Sequence, residues 1–180
     1  TVLNCQANKY RYYCAMKTRH TNPSLVKSSG KIIYLSEQTF GQFDSSVSRA
    51  DSVCNSTRPS GVSSAKAMIS ASTRVPSSVL ELNTTYVRVD GQVVGTGQDL
   101  ASGSVLRSGI WQTASGDYVR EATWTRSPTP DVNSAQNNCD DWMGGGVGVG
   151  GWSATASPAW WFKTASQMCT EKHRVICVQQ

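Results

Sequence analysis

Apolar residues in this chain fall into short runs and not into long periodic stretches. Residues 31–36, a run rich in β-forming side chains that follows Gly30, predict a buried first strand. Residues 86–94 alternate between apolar and polar side chains around Asp90-Gly91, a pattern typical of a β-hairpin. Residues 65–71 and 174–178 predict two further strands, and residues 117–125 alternate less cleanly.

Helical periodicity is scarce, with one clear exception. Ser45 or Ser46 is placed to cap a helix in which Val47, Ala50 and Cys54 fall on one face at spacings of three and four residues. The predicted fold class is therefore α+β: a small mixed sheet, one or two helices and long loops. The turn-forming residues before Gly30 indicate two parts, an N-terminal extension of residues 1–29 and a main domain of residues 30–180.

The composition also indicates the cellular compartment of the protein. Only 38% of the residues are hydrophobic and 16% charged, while 25 Ser, 16 Thr and six Trp are present. Such a chain is polar without being disordered, because aromatic residues at this density anchor cores or binding surfaces. No apolar run approaches the roughly 20 residues of a membrane-spanning helix. The profile fits a secreted or cell-surface protein without a membrane span.

The positive charge is confined to the N-terminal end. The net charge is +5, yet residues 1–36 contain six Lys or Arg and no acidic residue. A basic cluster interleaved with tyrosines suits an anionic polysaccharide or a nucleic acid, although residues 9–13 also fit a plain strand with alternating faces. The candidate polyanion-binding residues are Lys9, Arg11, Lys17 and Arg19.

Six cysteines in an exported-looking chain favour three disulfides over a metal site. No CxxC pair exists, and the two histidines, His20 and His173, lie far apart in sequence. Cys5 and Cys14 are close enough to close a small local loop. Spacing alone leaves three ways to pair the other four, which are Cys54, Cys139, Cys169 and Cys177.

The segment of residues 137–162 has the most unusual composition. Six of the eight residues 144–151 are glycine, and four tryptophans lie in residues 142–161. We expect a ligand-facing loop with at least one exposed tryptophan; the alternative is a tight crossing inside the fold, with the rings as core. The candidate ligand-binding residues are Asn138, Asp140, Asp141, Trp152, Trp160 and Trp161.

Signals for catalysis are weak. The chain has no GxSxG, HExxH, Walker or SxxK motif, and an even number of paired cysteines leaves no thiolate nucleophile. We therefore expect a protein that is not an enzyme and that uses no metal or other cofactor.

The ordered set of these pieces resembles the endostatin-like domains of the C-type-lectin-like fold group, in particular their bacterial members. The resemblance covers about residues 30–180. It rests on the strand at 31–36, the helix at 49–54, the small-residue strand at 65–71, the hairpin at 87–94, Cys139-Asp140-Asp141-Trp142, and Cys169 with residues 173–177. It implies two nested disulfides, Cys54 with Cys177 and Cys139 with Cys169. The zinc-binding histidines and the arginine-rich heparin surface of the animal domain have no counterparts here.

Three roles follow from these features, two in ligand binding and one structural. The first is an adhesin-type recognition module whose loops present Trp, Asp and Asn side chains to a glycan or a surface protein of another cell. The second is electrostatic capture of an anionic polysaccharide by the N-terminal segment. The third is a structural role as the homo-oligomerising tip of a fibre.

Overall fold

The computed structural model of the chain describes residues 27–41, 46–132, 139, 141, 144–163 and 165–180. The strands are β1 Lys31–Leu35, β2 Ala65–Ala67, β3 Thr85–Val87, β4 Val93–Thr96, β5 Ala122–Trp124, β6 Val147–Trp152, β7 Ala165–Met168 and β8 Arg174–Gln179. The α-helices are α1 Val47–Ser56 and α2 Gly97–Ala101, and a 3-10 helix covers Pro76–Val79. The predicted α+β class is confirmed, with an eight-stranded mixed sheet.

The last strand lies in the middle of the sheet. The strand order is β4-β3-β1-β8-β5-β6-β7, and β2 also pairs with β8. Strand β8 pairs antiparallel with β1 on one side; on the other side it pairs with β5 in parallel over Arg174 and Val175 and then with β2, antiparallel, from Cys177 to Gln179. Three strands therefore depend directly on β8 for their backbone hydrogen bonds.

Strand β1 is buried on both faces, as its continuous apolar run predicts. Tyr34 packs in a cluster with Cys54 and Trp124 on one face of the sheet. Its neighbours Ile33 and Leu35 pack on the other face, in a cluster that includes Trp161. Successive side chains of a strand point to opposite faces, so a strand covered on both sides needs no polar alternation.

Helix α1 begins and packs as its sequence predicts. The Ser46 hydroxyl accepts a hydrogen bond from the Arg49 amide at 3.1 Å, which makes Ser46 the N-cap. Ala50, Val53 and Cys54 form the buried face. The predicted strand at 65–71 is shorter in the structure, since β2 ends at Ala67.

The predicted hairpin forms from β3 and β4, with Asp90 and Gly91 in the turn. Gly91 has φ +84°, a left-handed conformation that glycine adopts without strain. After β4, Thr96 and Asp99 form a reciprocal capping box that starts α2.

Two disulfides brace the fold, with the nested pairing that the resemblance implied. Cys54–Cys177 joins α1 to β8 across 123 residues, and Cys139–Cys169 spans 30 residues. Closing a loop of the first length stabilises a fold by about 5 kcal/mol if the effect is mainly unfolded-chain entropy. Cys5 and Cys14 lie outside the described residues.

Candidate functional site

The candidate site is a surface formed by Trp152, the last residue of β6, and Trp160. Their side chains are 41% and 54% exposed, which confirms that at least one tryptophan of the segment faces solvent. The Trp152 amide donates a hydrogen bond to the Trp160 carbonyl at 2.9 Å. We call this pair the tryptophan surface.

A short turn connects the two residues. Trp152 pairs with Ala122 of β5, so the sheet fixes one end of the turn. Inside it, the Ser157 amide donates to the Thr155 hydroxyl at 3.1 Å, and the Trp160 amide donates to the Ser157 carbonyl at 3.0 Å. The hydrogen-bonded backbone fixes the positions from which both indole rings project into solvent.

Trp161 differs from its neighbour, and its expected contact with a ligand does not fit its position. It is only 2% exposed, its indole N–H donates to the Ser104 carbonyl at 3.0 Å, and its ring lies edge-on to Phe162 at 5.2 Å. A buried indole with its donor satisfied is a core residue. Trp161 therefore anchors the turn that carries Trp160.

The expectation of a loop through the glycine-rich stretch is wrong for residues 147–152, which form β6 between β5 and β7. A Cβ on Gly150 would lie 2.7 Å from the Thr123 carbonyl oxygen, and one on Gly151 would lie 2.9 Å from the carbonyl carbon of Trp161. Nothing lies within 4 Å of a Cβ built on Gly145. Of the two explanations for the glycines, close crossing inside the fold holds at Gly150 and Gly151.

Asp141 lies away from the tryptophan surface. Its carboxylate accepts hydrogen bonds from the Ser72 amide at 2.8 Å and from the Ser72 hydroxyl at 2.6 Å, beyond the end of β2. Gly144 donates to the carbonyl of Cys139, so this disulfide-linked segment lies at the start of β6, whereas Trp152 ends it. Five strand steps of about 3.4 Å separate these ends by about 17 Å. Asn138 and Asp140 lie outside the described residues, as do Lys9, Arg11, Lys17 and Arg19.

A second aromatic group, absent from the predicted site, lies at the same end of the sheet as the tryptophan surface. The Arg88 guanidinium carbon is 5.2 Å from the ring centre of Trp111 and 5.9 Å from that of Tyr118. Tyr118 is 63% exposed, and its hydroxyl donates to Asp90 at 2.8 Å. We call Arg88, Asp90, Trp111 and Tyr118 the arginine–aromatic cluster.

Two contacts connect this cluster to the tryptophan surface. The Arg88 guanidinium donates to the Gly109 carbonyl at 3.4 Å, and a Cβ on Gly109 would lie 2.8 Å from the Ser153 carbonyl oxygen. The Ser153 hydroxyl donates to the Glu121 carbonyl at 3.0 Å, three residues after Tyr118. The sequence signal for the cluster was an Arg and an Asp two residues apart in the predicted hairpin, Arg88 and Asp90, but only the hairpin was predicted from that stretch.

The hydrogen bonds of the cluster keep Asp90 ionised and Tyr118 protonated at neutral pH. Burial raises the pKa of Asp90, but hydrogen bonds from Arg88, the Gln92 amide and Tyr118 outweigh it and leave the pKa below its usual 3.8. The bond to Asp90 raises the pKa of Tyr118. At neutral pH the cluster therefore presents a protonated phenol, and the Asp90 carboxylate is occupied by three donors.

His173 lies at the edge of the hydrophobic core. Its ring lies edge-on to Trp124 at 4.9 Å, and its Nε2 is 3.2 Å from a carboxylate oxygen of Glu171. Across the described ranges, no group of three or more His, Cys, Asp or Glu side chains is placed to hold a metal ion.

Two disulfides are compatible with an extracellular location. None of the helices in the described part of the chain is both long and apolar enough to cross a membrane. No family model and no curated protein matches this chain. Function is therefore inferred from the residues of the site.

Proposed function

We propose that this chain is a secreted or cell-surface recognition module of the adhesin type, without catalytic activity, that binds a glycan or a surface protein of another cell. The observation that carries the proposal is the tryptophan surface: two solvent-exposed indole rings on residues that a backbone hydrogen bond joins across a short turn. Trp152 and Trp160 do not serve as core residues. The adjacent Trp161 fills the core, whereas these two rings remain exposed.

Exposed aromatic rings suit this role. An indole offers a flat apolar face for a sugar ring and an N–H donor for a hydroxyl, and tryptophan is enriched among the residues that dominate binding energy at interfaces. Tyr118 adds a third exposed ring with a polar tip at the same end of the sheet. Ligand sites commonly combine apolar area with a few fixed polar groups in this way.

We also propose an endostatin-like fold for residues 30–180, with residues 1–29 as a separate extension. The nested pairing of Cys54–Cys177 and Cys139–Cys169 supports it, as do the strand, helix and hairpin in the expected order. Superposition of residues 30–180 on an endostatin domain tests this proposal, and a different strand order would contradict it.

A glycan array on the intact protein, followed by titration of the best ligand, tests the function. Trp160→Ala and Trp152→Ala should each weaken binding by about tenfold or more, since truncating a dominant interface tryptophan removes about 2 kcal/mol. Leu82→Ala is the matched control, because Leu82 is also a large apolar side chain at 47% exposure. Unchanged affinity in the Trp152/Trp160 double variant would place recognition on another surface.

A stability comparison checks that the loss is local. Trp160→Ala should leave unfolding within about 0.5 kcal/mol of the parent, whereas Trp161→Ala should cost about 3–5 kcal/mol, because only Trp161 is buried. Equal losses for the two variants would contradict the assignment of Trp160 to a binding surface.

A further inference from the structure

The sequence contains two acceptor motifs for Asn-linked glycosylation, which read Asn-Xaa-Ser/Thr with Xaa other than proline. They are Asn55-Ser56-Thr57 and Asn83-Thr84-Thr85, whereas Asn22-Pro23-Ser24 carries the excluded proline. The motif alone is not sufficient, because the acceptor side chain must also be accessible to a transferase. The structure distinguishes the two motifs on this point.

The Asn55 side chain is engaged in holding α1 against β2. Its amide nitrogen donates to the Asp51 carbonyl at 3.1 Å, and its oxygen accepts a hydrogen bond from the Ala65 amide of β2 at 2.9 Å. The residue before it, Cys54, is fully buried and bridged to Cys177 of β8. A transferase therefore cannot take up this motif in an extended conformation unless α1 separates from the sheet.

Asn83 lies in a turn between the 3-10 helix and β3, and its side chain is exposed. Within the described part of the chain, that side chain makes no hydrogen bond. The backbone of the turn is held without it, because the Thr84 amide donates to the Glu81 carbonyl at 3.1 Å and the Gln98 amide donates to the Leu82 carbonyl at 2.8 Å. The Asn83 amide can therefore be modified without loss of a contact that holds the fold.

We propose that Asn83 is an acceptor site for an Asn-linked glycan. The donor is an oligosaccharide joined through a pyrophosphate to a lipid. In the transfer, the Asn83 side-chain nitrogen forms a bond to the anomeric carbon of the first sugar, and the bond from that carbon to the pyrophosphate oxygen breaks. The lipid pyrophosphate leaves with the electron pair, and the nitrogen loses one proton to a base of the transferase. No oxidant or reductant takes part.

A glycan on Asn83 would leave the candidate recognition surface accessible. Asn83 precedes β3, whereas Arg88 and Asp90 of the arginine–aromatic cluster follow the other end of that strand. The neighbouring Leu82 side chain is 47% exposed, and a hydrophilic glycan beside it would shield this apolar group from solvent. The site depends on the export proposed above, but not on what the tryptophan surface binds.

Glycan transfer to the purified, folded chain tests the proposal. The chain is incubated under non-reducing conditions with a single-subunit oligosaccharyltransferase and its lipid-pyrophosphate-linked oligosaccharide, and is then analysed by mass spectrometry intact and as peptides. The mass should rise from 19.4 kDa by that of a single glycan, carried by the peptide that contains Asn83. Asn83→Gln and Thr85→Val should abolish the addition. Thr85→Ser keeps the hydroxyl of the motif and should remain an acceptor, and Asn55→Gln should be modified like the parent.

A synthetic peptide of residues 80–87 in the same reaction controls for the activity of the transferase. If the peptide is modified and the folded chain is not, the proposal is overturned, because the turn then withholds Asn83 from the transferase. A glycan found on Asn55 of the folded chain would overturn it as well, since accessibility would not select between the motifs. These outcomes are separate from the recognition role, because no variant in the experiment changes Trp152 or Trp160.

Discussion

The glycine-rich strand β6 gives the sharpest test of the fold. A Cβ on Gly151 would lie 2.9 Å from the Trp161 carbonyl carbon and 3.0 Å from the Phe162 Cα, with the Trp161 oxygen closer still. These are backbone atoms of a segment whose side chains are only 2% exposed, so no flexible group can move aside. Gly151→Ala should therefore push β6 and the Trp161 segment apart.

The magnitude follows from two opposing effects. Overpacking a core costs up to about 3 kcal/mol, and replacing glycine recovers about 0.4–1 kcal/mol by restricting the unfolded chain, which leaves a net loss of about 2 kcal/mol. For a domain of this size that corresponds to a melting temperature lower by about 4–8 °C. Thermal unfolding followed by circular dichroism, under non-reducing conditions, measures it.

Gly145→Ala is the matched control for this prediction. Gly145 lies six residues earlier in the same glycine run, its side is open to 4 Å, and we expect a change within about 0.5 kcal/mol. If the two variants melt at the same temperature, the close crossing of β6 and Trp161 is refuted.

Three further predictions concern charge and cysteine chemistry. The folded-state pKa of Asp90 is lowered, so the ionised Asp90 stabilises the fold fully above pH 3.8, and this stabilisation disappears as the pH falls below that value. Urea titrations should show that Asp90→Asn flattens the dependence of the unfolding free energy on pH below 3.8. An unchanged dependence in the variant would contradict this role of Asp90. Mass spectrometry of unreduced peptides should find Cys5 joined to Cys14, and a free thiol at either would disprove the pairing. Heparin retention should disappear, with unchanged thermal unfolding, when four basic residues are neutralised, and persistent retention would exclude capture by this segment. Those residues are Lys9, Arg11, Lys17 and Arg19.

Local signals predicted much of the sheet and its main helix. The β-branched run of β1, the serine before α1 and the Asp90-Gly91 turn each specify their structure within a few residues, and all three are present. Such elements can be predicted because the deciding interactions lie between sequence neighbours.

The site was predicted less well, because distant contacts decide it. Trp160 and Trp161 are adjacent and identical in type, yet the Ser104 carbonyl, 57 residues from Trp161, makes one of them core and leaves the other in solvent. From the sequence alone, the glycines of β6 indicate a loop. Only the structure shows that the Thr123 carbonyl lies against Gly150. Asp141, expected at the ligand, instead bonds to Ser72, 69 residues away.

The central position of β8 constrains the order of events during synthesis. Strands β1, β2 and β5 all pair with β8, whose residues Arg174–Gln179 leave the ribosome after those of the other seven strands. The sheet therefore cannot assemble its middle while the chain is still emerging, and the Cys54–Cys177 bridge cannot close until then either.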